Sequence, residues 1–111
     1  MGAVFIPCLG KAVVLAGWIA ANVPHVGEPA CVVEPQGTVL MSSNVMPDLW
    51  RIDAHTGAVE RLSILLADNP GRDIGFTELR LVGTRGLRAT SAIDGTRWWI
   101  DLRTQAASLE R

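Results

Sequence analysis

Five arginines, Arg80, Arg85, Arg88, Arg97 and Arg103, fall within 24 residues that hold only two acids, Asp94 and Asp101. Trp99 stands between Arg97 and Arg103, and strand alternation places Arg97, Trp99, Asp101 and Arg103 on one face. An indole among guanidinium groups on a polar face is a stacking platform for a base, a sugar or a partner's side chain. The plainer reading is a solvated face whose Arg stems cover the ring. Trp99, Arg97, Arg103 and Arg88 are the candidate binding residues.

Other chemistry has less support. Asp53 and Asp101 each stand three residues before a Thr, where an Asp accepts backbone amides of its own turn. Acid–base work would need the two carboxylates together, and nothing in the sequence brings them together. His25, His55, Cys8 and Cys31 are the soft metal ligands, and they lack C-x-x-C or H-x-x-x-H spacing. No metal and no cofactor is expected. Ser42, Ser43 and Ser91 lack the Gly-x-Ser-x-Gly context of a nucleophile elbow, and no Gly-rich run leads into a helix to cradle phosphate. No catalytic residue is assigned. Without secretory context, Cys8 and Cys31 are expected to be buried free thiols in a cytoplasmic protein.

The elements that hold these residues come in two copies. Residues 37–59 align without a gap with residues 85–107, an offset of 48. Ser43/Ser91, Trp50/Trp98, Ile52/Ile100, Asp53/Asp101, Thr56/Thr104 and Ala58/Ala106 are identical pairs. A repeat of this kind governs the fold. The pattern Gly-Thr-Val … Leu-Trp-Arg-Ile-Asp-Ala-His-Thr-Gly resembles the inner strands and turn of a β-propeller blade, as in quinoprotein-like or NHL-type repeats. The resemblance implies two copies of four strands over residues 30–110, although Gln105 replaces the Gly of the blade turn. Two blades cannot close a ring alone, so the sheets either pack on each other or await further subunits.

The expected fold is therefore mainly β: one antiparallel domain over residues 1–111, two related four-stranded meanders packed as a sandwich or barrel. An apolar N-terminal segment, strand or short helix over residues 12–23, completes it. Strands are expected at 31–33, 38–42, 49–53, 58–65, 76–82 and 87–91. Glu34-Pro35-Gln36-Gly37 fits a type I turn. If Asp94-Gly95 forms a two-residue turn, Ser91 faces Trp98, Ala89 faces Ile100 and Arg88 faces Asp101. Alternation also makes Trp50 and Trp98 core residues and leaves Trp99 exposed.

Composition limits the function. The net charge of −1 gives no argument for nucleic acid or an anionic membrane. Only Lys11, Glu28 and Glu34 are charged before residue 48, so the first part must be buried, and a homodimer through residues 1–29 is expected. The apolar run 12–23 falls short of the roughly 20 residues that span a bilayer. Nine Arg against one Lys suggest GC-rich bacterial coding. The leading expectation is a small non-enzymatic binding or protein-interaction module, with an inhibitor- or immunity-like partner of another protein as one form of it. A small-ligand or carbohydrate binder using the Trp/Arg face or an apolar inter-sheet pocket comes next, and an enzyme third.

Overall fold

The computed structural model describes residues 3–14, 30–66 and 74–110. Eleven strands are found there, in the order β1 Ala3–Ile6, β2 Lys11–Val14, β3 Cys31–Val33, β4 Val39–Ser42, β5 Leu49–Ile52, β6 Val59–Leu62, β7 Leu65–Leu66, β8 Phe76–Val82, β9 Gly86–Ser91, β10 Arg97–Asp101 and β11 Ala106–Leu109. They form a β1–β2 hairpin, a first sheet β3-β4-β5-β6 and a second sheet β7-β11-β10-β9-β8. The protein is all-β with antiparallel sheets of four and five strands packed as a sandwich, as the sequence predicts. Of the ambiguous run 12–23, residues 12–14 belong to β2, and the rest lies outside the described residues.

Four hairpins use one loop. The fifth residue of each six-residue stretch donates its amide to the first residue's carbonyl: Gly10 to Ile6 (3.0 Å), Gly57 to Asp53 (2.8 Å), Gly95 to Ser91 (3.1 Å) and Gln105 to Asp101 (2.8 Å). That fifth residue is left-handed every time, with φ of 66°, 76°, 72° and 56°, a conformation open to Gly and strained for Gln. The first residue's side chain secures three of these loops. Asp53 accepts the His55 amide (2.9 Å), Asp101 that of Arg103 (2.8 Å) and Ser91 that of Ile93 (3.2 Å).

This loop corrects the expected register. Asp94-Gly95 does not form a two-residue turn, which would need positive φ at Asp94, and among the described non-glycine residues only Gln105 has one. Four residues separate Ser91 from Thr96, so Trp98 faces Ala89, Trp99 faces Arg88 and Asp101 faces Gly86. Arg88 and Asp101 are therefore not opposite each other. A shift of two residues keeps every side chain on its predicted face, so Trp50 and Trp98 are 1% and 2% exposed and Trp99 36%.

Two further corrections concern connections. The predicted strand 58–65 is interrupted at Ser63-Ile64, and its end becomes β7, which leaves the first sheet and pairs parallel with β11. Cys8 and Cys31 are not free: they are disulfide-bonded, with Cα atoms 6.0 Å apart. The β1–β2 hairpin folds back on the first sheet and carries its turn to the start of β3, a proximity that a separation of 23 residues does not reveal.

The layers stack in one sense. Val39, Met41 and Ile52 form the rear face of the first sheet and pack with Ile6 and Val13 of the hairpin. Leu40, Leu49 and Leu62, on its front face, pack against Leu87, Ala89, Trp98, Ile100 and Ala107 of the second sheet. Those residues lie 48 positions after the rear set or its strand neighbours, so each sheet lays its rear face on the front of the layer before. Ser42 and Phe76 tie the sheets at one end: the Ser42 hydroxyl donates to the Phe76 carbonyl (2.9 Å), and the Phe76 amide to that of Ser43 (2.8 Å).

Two stability outcomes follow. Gln105→Gly should raise stability by about 0.5–1 kcal/mol in chemical denaturation, because it removes a strained left-handed side chain at the cost of chain entropy. Replacing both cysteines by Ser should cost ~2–4 kcal/mol, the usual effect of opening a native disulfide, and mass spectrometry of the alkylated protein should find no free thiol.

Candidate functional site

The front face of the second sheet holds the predicted binding residues. Cross-strand pairing sets Arg80, Arg88, Trp99 and Ser108 in one row across β8, β9, β10 and β11. Arg97 lies in the next row, opposite Thr90. Arg103 is not on a strand: it occupies the β10–β11 loop, where its amide binds Asp101.

Gly86 seats the indole. A Cβ on Gly86 would meet the Trp99 ring at 2.2 Å, so a side chain there would push the indole from its place. One ring face thus rests on the backbone of β9 while the residue remains 36% exposed. A shallow trough of about 560 Å³ opens beside this row, lined by Glu78, Arg80, Arg88, Thr90 and Arg97 together with Ala30, Cys31, Leu79 and Ala89. Arg88 meets Glu110 at 3.4 Å.

A second charged cluster, on the first sheet, is unannounced in the sequence, where Glu34 reads as a turn residue. Its turn forms as expected, Gly37 donating to the Glu34 carbonyl (2.9 Å). The Glu34 side chain is buried, and Arg51 grips both its oxygens at 2.7 and 3.1 Å while the Thr38 hydroxyl donates at 2.8 Å. Burial opposes the charged carboxylate, but these hydrogen bonds and the guanidinium charge prevail and hold its pKa below the ordinary value. With its acceptors used inside the fold, the cluster works as a clamp between β3 and β5.

Asp53 and Asp101 serve their own loops. Amides of His55 and Thr56 lower the pKa of Asp53, and those of Thr104 and Arg103 that of Asp101. Ser43 and Ser91 share a role too, accepting the amides of Val45 (3.1 Å) and Ile93 (3.2 Å). The buried tryptophans differ. Trp98 Nε1 donates to Thr96 Oγ1 (3.0 Å), whereas Trp50 Nε1 has no partner and its ring lies under Arg61, 5.4 Å from centroid to guanidinium. His55 lies in a loop and His25 is outside the described residues. Among the described residues no three His, Cys, Asp or Glu gather as a metal site, and no helix is long and apolar enough to cross a membrane.

No protein-family model, no curated protein and no solved structure matches this chain.

Acid should weaken the fold through these carboxylates. Each has a folded pKa below its unfolded value, so its stabilisation is complete above the unfolded pKa and is lost as pH falls through the folded one. Denaturation midpoints should hold from neutrality to the ordinary carboxylate range and drop below it. Glu34→Gln should flatten that drop and cost about 1–3 kcal/mol near pH 7, because Arg51 loses its charge partner.

Proposed function

We propose that this protein is a non-enzymatic interaction module whose working surface is the front face of the second sheet. The observation that supports this reading is Trp99: half-buried on Gly86, yet presenting a broad ring to solvent among Arg80, Arg88 and Arg97. Interfaces draw most of their energy from such Trp and Arg residues. A polar outer face alone would be served without an indole, as on the terminal layer of a stacked array. The two meanders are read as one repeated unit. Leu40, Leu49 and Leu62 of the first front face become Arg88, Arg97 and Glu110 in the second, which favours an unlike partner over continued stacking.

Self-association is a separate proposal. Phe5 and Val14 of the N-terminal hairpin are 57% and 59% exposed, which supports a homodimer through residues 1–29. Light scattering at micromolar concentration should give a dimer that Phe5→Glu converts to monomer; a wild-type monomer would contradict it. The expectation of a cytoplasmic location rests on the lack of secretory context in the sequence, and the Cys8–Cys31 disulfide argues against it.

Trp99→Ala should leave stability within about 1 kcal/mol of wild type, whereas Trp98→Ala should cost ~3–5 kcal/mol as a vacated core site does. Affinity purification from the source cells should retain a protein on the wild type that is absent with Trp99→Ala. The same proteins on both, or none on either, would contradict an interaction role for this face.

A further inference from the structure

We infer that the trough walled by Arg80, Arg88 and Arg97 receives carboxylates of an acidic peptide segment from a protein partner, an inference that rests on the docking face proposed above. Arg80 and Arg88 are directly opposite each other on adjacent antiparallel strands. Like charges in that arrangement destabilise a sheet. Both side chains also line one cavity with Arg97. Arg88 has Glu110 at 3.4 Å, and among the described residues Arg80 and Arg97 form no ion pair.

The first sheet shows what a guanidinium looks like when the fold itself is its partner. Arg51, at the position equivalent to Trp99, is gripped by Glu34 on two nitrogens and has Glu60 at 3.9 Å. Nothing of that kind neutralises the trough. Three forked donors line it, and neither Glu78 in the trough nor Glu110 beside Arg88 pairs with Arg80 or Arg97; a carboxylate matches an Arg fork in shape and charge. Trp99 shares the row of Arg80 and Arg88 and stands beside the trough, its ring seated over Gly86.

The surrounding charge selects a short acidic segment over a nucleic acid. Glu78 lines the trough itself, and Asp101 and Glu110 border the same face. A polyanionic strand tracking across the sheet would meet these carboxylates, and the net charge of −1 offers it no long-range attraction. A short segment sets a carboxylate between Arg80 and Arg97 without tracking past Asp101 and Glu110.

Titration calorimetry of the full chain at low salt, with an end-capped hexaglutamate peptide as probe, tests the inference. The peptide should bind, weaken as salt rises, and lose about tenfold or more in affinity with Arg80→Ala or Arg97→Ala. Arg103→Ala, a change in the neighbouring loop, should alter affinity by less than about twofold. Arg80→Ala should also melt at or above the wild-type temperature, because it removes the like-charge contact. No binding, equal binding by Arg80→Ala, inorganic phosphate matching the peptide, or a single-stranded oligonucleotide outcompeting it would each overturn the inference. A native partner lost with Trp99→Ala but kept fully with Arg80→Ala would overturn the acidic ligand alone. A partner kept by both variants would overturn the docking face.

Discussion

The four-residue hairpin loop is the constraint on which the rest depends. Its carbonyl-to-amide closure and left-handed fifth residue fix which residues oppose each other on every flanking strand pair. In the second sheet this places Trp98 and Ile100 toward the core and sets Trp99 opposite Arg88, diagonal to Gly86. A one-residue slip would exchange the two faces. The loops resist such slips because a side-chain acceptor, Asp53, Ser91 or Asp101, binds amides within the loop itself. The turn carboxylates Asp53 and Asp101, read from the sequence as acceptors of their own turn amides, thus help keep the core residues inward.

Stacking builds on that register. Because equivalent faces all point the same way, the front face of the first sheet is filled by leucines and buried, while the front face of the second lies outermost and carries charge. The layers are a two-stranded hairpin, a four-stranded sheet and a five-stranded sheet. The disulfide fixes the hairpin to the first sheet, and the paired bonds between Ser42, Ser43 and Phe76 join the two sheets. Gly75 permits that second junction, since a Cβ there would run into the backbone of Asn44.

Much of this was legible in the sequence because strand alternation is local. The two meanders, the Glu34–Gly37 turn, the burial of Trp50 and Trp98 and the exposure of Trp99 all follow from period-two patterning and turn chemistry. The misread features depend on longer-range geometry. Asp94-Gly95 suits a two-residue turn by composition, but Ser91 and Thr96 close a longer loop around it. Leu65–Leu66 continues an apolar run, yet pairs with β11, Leu65 opposite Ala106 and Leu66 opposite Ala107, far away in sequence. The Cys8–Cys31 bond and the Glu34–Arg51 clamp need the sheets folded before their partners can be named. At the candidate site, Arg88, Arg97 and Trp99 were read from the sequence. Arg80 stood in the arginine cluster but not among the candidate binding residues, and Gly86 in neither, because only the observed register places one opposite Arg88 and the other beneath the indole.

The register therefore carries both the fold and the site, and cross-strand Hα–Hα nuclear Overhauser contacts measure it directly. Trp99 and Arg88 form a non-hydrogen-bonded antiparallel pair, with the hydrogen-bonded pair of Ser91 and Thr96 three steps along the ladder. Such pairs bring their Cα atoms to about 4.5 Å, so a strong contact is predicted between the Hα protons of Trp99 and Arg88, and another between those of Arg97 and Thr90. A strong Hα contact from Trp99 to Thr90 would instead report the two-residue turn. It would separate Trp99 from its seat on Gly86 and contradict the account.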